Sequence, residues 1–94
     1  MESRNFSNYI KLFEKNLKMN VWHFALMVAV LHLWYSQGQP TIIKVNRSKI
    51  MSLAHIRTFP TYHKYFKELQ TMGYIKYTPS HHPGHRSEVQ LCFS

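Results

Sequence analysis

Residues 46–93 read NRSKIMSLAHIRTFPTYHKYFKELQTMGYIKYTPSHHPGHRSEVQLCF, and the first half of this stretch has the spacing of two short helices. Asn46 is a good N-cap residue, and apolar residues recur at helical spacing through Arg47–Ala54. A break over residues 55–58 follows. These features predict a helix over 47–54 and a turn before the next helix.

The second helix is predicted over residues 58–72. Thr58 is its expected N-cap, and Pro60 lies in the first turn, where a missing N–H removes no helical hydrogen bond. Gly73 is expected to end the helix, because glycine readily adopts the left-handed conformation found just beyond helix ends. The helical period places four residues on the core side: Tyr62, Phe66, Leu69 and Met72.

Beyond Gly73 the period changes to two, which predicts β-strands over Tyr74–Tyr77 and Glu88–Phe93. Residues 78–87 between them are too polar for a core and include Arg86, so they are expected to form an exposed hairpin tip, the wing. Two short helices followed by a hairpin with a basic tip form the layout of a winged-helix domain.

Several motifs in this stretch resemble those of a known family. The chain is similar to small bacterial winged-helix transcriptional regulators, and also to the N-terminal winged-helix domain of phage-type replisome organisers. The resemblance extends from about Trp22 to Phe93. It is carried by Lys44-Val-Asn-Arg-Ser-Lys-Ile-Met, Thr61-Tyr-His-Lys, Lys67-Glu-Leu, Met72-Gly-Tyr-Ile-Lys-Tyr and Ser80-His-His-Pro-Gly.

The residues upstream supply a scaffold helix and a further strand. The apolar run 21–35 is preceded by Asn20 as a cap, and it has one apolar face that includes Trp22 and Leu26. The β-branched run 41–45 is predicted to be a strand. The predicted fold is therefore α+β, a winged helix-turn-helix with a three-helix core, a small antiparallel sheet and a wing, plus an extra N-terminal amphipathic helix. Residues 1–19 are assigned to that helix and 20–94 to the winged-helix DNA-binding domain.

The N-terminal segment carries an apolar stripe that needs a partner, because so short a helix is not stable alone. Helix 21–35 offers a second apolar face, so the stripe packs in the same chain, on a second subunit or, as a third alternative, on a membrane surface. We favour a homodimer, since regulators of the resembled family often dimerise through flanking helices. The predicted dimer interface contains Phe6, Tyr9, Ile10, Phe13, Leu17, Phe24, Met27 and Leu31.

The charge of the chain is far from balanced. Twelve Lys and Arg residues against four glutamates give a net charge of +8, which favours a polyanionic partner, either nucleic acid or an anionic membrane surface. Residues 44–86 alone contain eight basic residues and one acidic residue, Glu68. Because the excess lies in the predicted helix-turn-helix and wing, double-stranded DNA is the expected partner.

The candidate DNA contacts follow from this arrangement. The first turns of a helix in the major groove reach base edges, so Thr61 and Lys64 are the expected base readers and Lys67 the expected phosphate contact. Residues at the start of helix 47–54 and in the wing are expected to hold the backbone or to enter the minor groove. The predicted DNA-binding residues are Arg47, Ser48, Lys49, Arg57, Thr58, Pro60, Thr61, His63, Lys64, Lys67, His82, His85 and Arg86.

Other classes of function are disfavoured. The chain has no aspartate, no glycine-rich phosphate loop and no paired nucleophile and base. We therefore expect no catalysis, no cofactor and no small-molecule ligand. The three histidines at 81, 82 and 85 have no cysteine or carboxylate beside them, so a metal site is not expected. The run 21–35 is too short to span a bilayer, and a cytoplasmic, nucleoid-associated protein of a bacterium is expected.

Two alternatives to a regulator of double-stranded DNA remain. A winged helix can also serve as a protein–protein assembly module of a replication or mobile-element complex. Exposed aromatic residues at Tyr74 and Tyr77 would instead indicate stacking on single-stranded nucleic acid.

Overall fold

A computed structural model of the chain describes residues 19–80 and 86–92. Within these residues the fold is α+β, with three helices and one small antiparallel sheet. The elements in chain order are α1 (Val21–Ser36), β1 (Ile43–Val45), α2 (Arg47–Ala54), α3 (Phe59–Thr71), β2 (Ile75–Thr78) and β3 (Ser87–Leu91). The predicted N-terminal helix and the tip of the wing lie outside the described residues.

Helix α1 begins at a reciprocal capping arrangement. The Asn20 side chain accepts hydrogen bonds from the backbone N–H groups of Trp22 and His23, at 2.9 and 3.2 Å. In return, Nδ1 of His23 accepts the backbone N–H of Asn20 at 3.0 Å. Both ends of the cap are thereby satisfied, as in a capping box that uses a histidine in place of the usual glutamate. The predicted cap at Asn20 is confirmed, whereas the part played by His23 was not foreseen.

The sheet has the strand order β1-β3-β2, with both neighbouring pairs antiparallel. Its inner face is apolar, because Ile43, Ile75 and Val89 are all buried. Lys44 and Lys76 alternate with these residues and are exposed on the outer face. β1 is shorter than the predicted strand 41–45. The indole N–H of Trp34 donates to the carbonyl of Pro40 at 3.2 Å, which holds the chain before β1 against α1.

The core lies between the three helices and the inner face of the sheet. Helix α1 packs against α2, α3 and β1, and eight of its 16 residues are buried. Tyr62, Phe66 and Leu69 of α3 face this core, as predicted. The ring of Phe66 stacks on that of Tyr62, with centroids 5.1 Å apart, and meets the ring of Tyr77 edge-on at 5.1 Å. These aromatic contacts join α3 to the β2–β3 hairpin.

The structure corrects several predicted positions on α1 and α3. Met27 and Leu31, expected at a dimer interface, are 0% and 5% exposed within this chain, because they lie on the part of α1 that packs against neighbouring elements. Trp22, expected on a buried face, is 39% exposed, while His23 beside it is buried. Thr58 occupies the N-cap position of α3, but its side chain makes no capping bond to the backbone; its hydroxyl bonds to that of Thr61 instead.

The outer edge of β1 is closed by one side chain. The amide of Gln37 donates to the carbonyl of Lys44 at 2.7 Å and accepts the Lys44 N–H at 3.0 Å, in the manner of a neighbouring strand. An open strand edge is a site for pairing with other chains, so these two bonds protect it.

We expect Gln37→Ala to lower the free energy of unfolding by about 1–2 kcal/mol and to increase self-association, because both backbone groups of Lys44 lose their partner. Urea unfolding and light scattering measure the two effects. Gln37→Glu keeps the acceptor for the Lys44 N–H but replaces the donor by a charged oxygen that repels the Lys44 carbonyl, so it should also be less stable than the wild type. Equal stability of all three proteins would contradict this role for Gln37.

Candidate nucleic-acid interface

Three parts of the fold enclose an open groove of about 890 Å³. They are the start of α2, the exposed side of α3 and the base of the β2–β3 hairpin. The groove is lined by Val45, Asn46, Arg47, Ser48, Tyr62, His63, Phe66, Lys67, Gln70, Tyr77, Ser80, Arg86 and Ser87. Five of these, Arg47, Ser48, His63, Lys67 and Arg86, were predicted from the sequence as DNA contacts.

Helix α2 brings Arg47 and Ser48 to one wall of the groove. Asn46 caps the helix by accepting the Lys49 N–H at 2.7 Å, as predicted. The Arg47 guanidinium lies over the ring of Phe59, with its central carbon 4.4 Å from the ring centroid. Phe59 belongs to the next helix, so this contact bridges the two elements.

Helix α3 divides its predicted contacts between the groove and the open surface. His63 and Lys67 line the groove, whereas Pro60 and Lys64 are exposed outside it. The Lys64 ammonium lies 5.2 Å from the centroid of the Tyr65 ring. Thr61 is half-buried, with its hydroxyl bonded to that of Thr58. Of the two lysines on this helix, Lys67 therefore lines the groove and Lys64 lies outside it.

The base of the β2–β3 hairpin is fixed by one hydroxyl group. Ser87 Oγ accepts the backbone N–H of Ser80 at 3.1 Å and the hydroxyl of Tyr77 at 3.3 Å. These bonds join the two strands where they lead into the predicted wing, beside Arg86. Arg86 is exposed and lines the groove. His82 and His85 lie outside the described residues.

We expect Ser87→Ala to lower the free energy of unfolding by about 1–2 kcal/mol, because the N–H of Ser80 and the hydroxyl of Tyr77 lose their acceptor. Amide hydrogen exchange at Ser80 should become faster. Ser87→Thr keeps the hydroxyl and serves as the control. Unchanged protection of Ser80 in Ser87→Ala would show that this hydroxyl does not hold the hairpin.

Two predicted contacts, Lys49 and Arg57, lie elsewhere on the surface. Both are exposed, and neither lines the groove. Lys49 follows the groove residue Ser48 by one position, which places it on another side of α2. Arg57 lies in the turn between α2 and α3. The groove thus brings together part of the predicted set and leaves these two residues outside.

The electrostatics of the groove are positive. Among the described residues, the two glutamates are both paired away from it: Glu68 with His23 and Glu88 with Lys44. None of the described residues that line the groove is acidic. Burial raises the pKa of Tyr62, with a further rise from Tyr77 and an opposing effect of the Arg47 charge. The Tyr62 hydroxyl therefore remains neutral and adds no negative charge to the groove.

Some residues of this region were not identified from the sequence. Gln70, Ser80 and Ser87 line the groove, but single polar residues carry no periodic signal that would mark them. Phe59, at the start of α3, is 54% exposed and contacts Arg47, and it was not among the predicted contacts. Phe59 precedes the buried Tyr62 by three positions, a spacing that predicts the core side, so the sequence gives no signal of its exposure.

Tyr74 and Tyr77, the two candidates for base stacking, do not form an exposed aromatic surface. Tyr74 is buried, and the half-buried Tyr77 is held by Phe66 and Ser87. The condition set for single-strand binding, exposure of both rings, is therefore not met in the structure.

Comparison of the chain with protein-family models, with curated proteins and with solved structures gave no match. Within residues 19–80 and 86–92, no helix combines the length and the hydropathy needed to cross a membrane. The same residues contain no group of three or more histidine, cysteine or acidic side chains placed to hold a metal ion.

Proposed function

We propose that this protein is a winged-helix protein that binds double-stranded DNA and acts as a transcriptional regulator. The observation that carries the proposal is the groove between α2, α3 and the hairpin, which collects Arg47, Lys67 and Arg86 and has no acidic residue among its described lining residues. The order of the elements and the strand order β1-β3-β2 are compatible with a winged helix.

In this proposal α3 enters the major groove. The helix spans 13 residues, or about 20 Å, and its width matches the groove of B-form DNA. Thr61 and Lys64 lie in its first two turns, where side chains reach base edges. A hydroxyl and an ammonium offer donors to the acceptors of guanine and thymine.

The groove beside α3 then holds one DNA strand by its phosphates. Lys67 approaches it from α3, Arg47 from α2 and Arg86 from the hairpin, so the three charges meet the strand from different sides. Contacts of this kind fix the register of the protein on DNA without reading the sequence.

A second function is favoured by a different observation. Val21, Val28 and Tyr35 of α1 are 69%, 39% and 61% exposed, and they lie on the outer side of the helix. Exposed apolar residues in a row are suited to protein contacts. They support a homodimer of the regulator or, as the alternative function, an assembly module of a replication or mobile-element complex.

Binding of a fluorescent duplex of random sequence, measured by anisotropy across a range of salt concentrations, tests the proposal. Three phosphate contacts predict that the logarithm of the association constant falls by about 2.7 for each unit of log salt. Selection from a random duplex pool then measures the preference for a sequence. Absence of binding at low salt would refute DNA binding, and binding without sequence preference would refute the role as a specific regulator.

A further inference from the structure

Phe59 is an aromatic residue in an unusual place. It is the first residue of α3 and is 54% exposed, although Tyr62 and Phe66 of the same helix are buried. The Arg47 guanidinium lies 4.4 Å from its ring centroid, and the ring of His63 lies 6.4 Å away, tilted by 49°. Arg47 and His63, the two described residues in contact with the Phe59 ring, therefore both line the groove.

The contact with Phe59 uses only one part of the Arg47 side chain. A guanidinium is planar, and its N–H donors point outward in that plane. Attraction to an aromatic ring does not consume these donors. Among the described residues, Arg47 has no carboxylate partner, since the glutamates there pair with His23 and Lys44. The donors of Arg47 are therefore available to an anion in the groove.

We infer that Phe59 is a positioning residue that holds the Arg47 guanidinium ready for a phosphate of the DNA backbone. This inference rests on the proposed function. A phosphate accepts two N–H groups of one arginine when the plane of the guanidinium is correctly oriented. A free arginine side chain has many rotamers, and fixing it before binding reduces the entropy lost on association.

The position of Phe59 on α3 gives this contact a second consequence. Arg47 lies on α2, whereas the predicted base readers Thr61 and Lys64 lie on the same helix as Phe59. The contact therefore sets the phosphate donor of one helix relative to the base readers of the other. The position of Arg47 at the DNA phosphate is thereby linked to the position of α3 in the major groove.

A double-mutant cycle with Phe59→Ala, Arg47→Ala and the combined variant tests the inference. Anisotropy with a duplex selected by the wild-type protein measures binding. Phe59→Ala should weaken binding about two- to fivefold, the range expected for one exposed cation–π contact. In the Arg47→Ala background the same change should have almost no effect, because no guanidinium remains to be positioned. The salt slope should fall by about one unit for Arg47→Ala and stay near the wild-type value for Phe59→Ala.

Two further variants separate the positioning role from a structural one. Phe59→Trp keeps an aromatic face and should bind as the wild type does, whereas Phe59→Leu keeps apolar volume without the face and should bind as Phe59→Ala does. Thermal unfolding of each variant measures its stability, so that a loss of folding can be separated from a loss of binding. An equal effect of Phe59→Ala in both backgrounds, or full binding by Phe59→Leu, would overturn the inference while leaving DNA binding intact. Absence of DNA binding by the wild type would instead refute the proposed function and the inference with it.

Discussion

Replacement of both Lys67 and Arg47 by glutamate is expected to lower the affinity for duplex DNA by about a hundredfold at 0.1 M salt. Each phosphate contact adds about 0.9 to the slope of the logarithm of the association constant against log salt. Because 0.1 M lies one logarithmic unit below the 1 M reference, the loss of two contacts lowers the association constant there by nearly two logarithmic units. The new carboxylates would add repulsion within the groove that both residues line. Anisotropy titrations at several salt concentrations measure the change in affinity and in slope together.

A matched pair of single variants serves as the control. Lys67→Glu and Lys76→Glu alter the net charge equally, but Lys76 lies on the outer face of the sheet and does not line the groove. We expect Lys67→Glu to weaken binding by about tenfold or more and Lys76→Glu to change it far less. Equal losses in the two variants would mean that net charge, rather than this groove, governs binding.

His23→Ala is expected to lower the free energy of unfolding by about 2–4 kcal/mol, a large part of the stability of a small domain. His23 is 2% exposed, and its ring meets that of Tyr65 edge-on at 5.0 Å. Because Nδ1 accepts the N–H of Asn20, the proton of the neutral ring is on Nε2, which donates to Glu68 Oε1 at 2.7 Å. Alanine would remove both bonds and leave a cavity between α1 and α3.

Glu68→Gln distinguishes hydrogen bonding from charge at this site. The glutamine carbonyl still accepts the Nε2 proton, so this variant should lose less than about 1 kcal/mol. Urea unfolding gives both free energies. A His23→Ala protein as stable as the wild type would contradict the bond network, and a large loss in Glu68→Gln would show that the charge of Glu68 matters more than its hydrogen bond.

Local signals explain why the elements were predictable. Asn20 and Asn46 bond to the backbone of the first turn that follows them, so their effect depends on residues at most three positions away. Gly73 has a φ of +87°, the left-handed conformation expected at the end of α3. The alternation in residues 74–77 and 88–93 likewise concerns immediate neighbours. Within the described residues, the helices and strands therefore lie within a few residues of their predicted bounds.

The candidate site was predictable only in part, because a helix face and its charge are local properties but a groove is not. His63 and Lys67 were assigned to the exposed side of α3 from the helical period, and both are exposed. Their position beside Arg47 and Arg86 depends on how α2 and the hairpin pack against α3. Lys49 and Arg57 have the same charge and lie outside the groove, a difference that composition does not reveal.

By itself, the sequence determined the order of the described helices and strands, the caps at Asn20 and Asn46 and the concentration of positive charge in residues 44–86, because these follow from neighbouring residues and from composition. Only the tertiary structure decided that His23 is buried against Glu68, 45 residues later in the chain, and that Phe59 lies under Arg47. It also placed Met27 and Leu31 inside the chain rather than on its surface. Such contacts depend on the packing of elements that are distant in sequence, and no local period or residue preference encodes which side chains then meet.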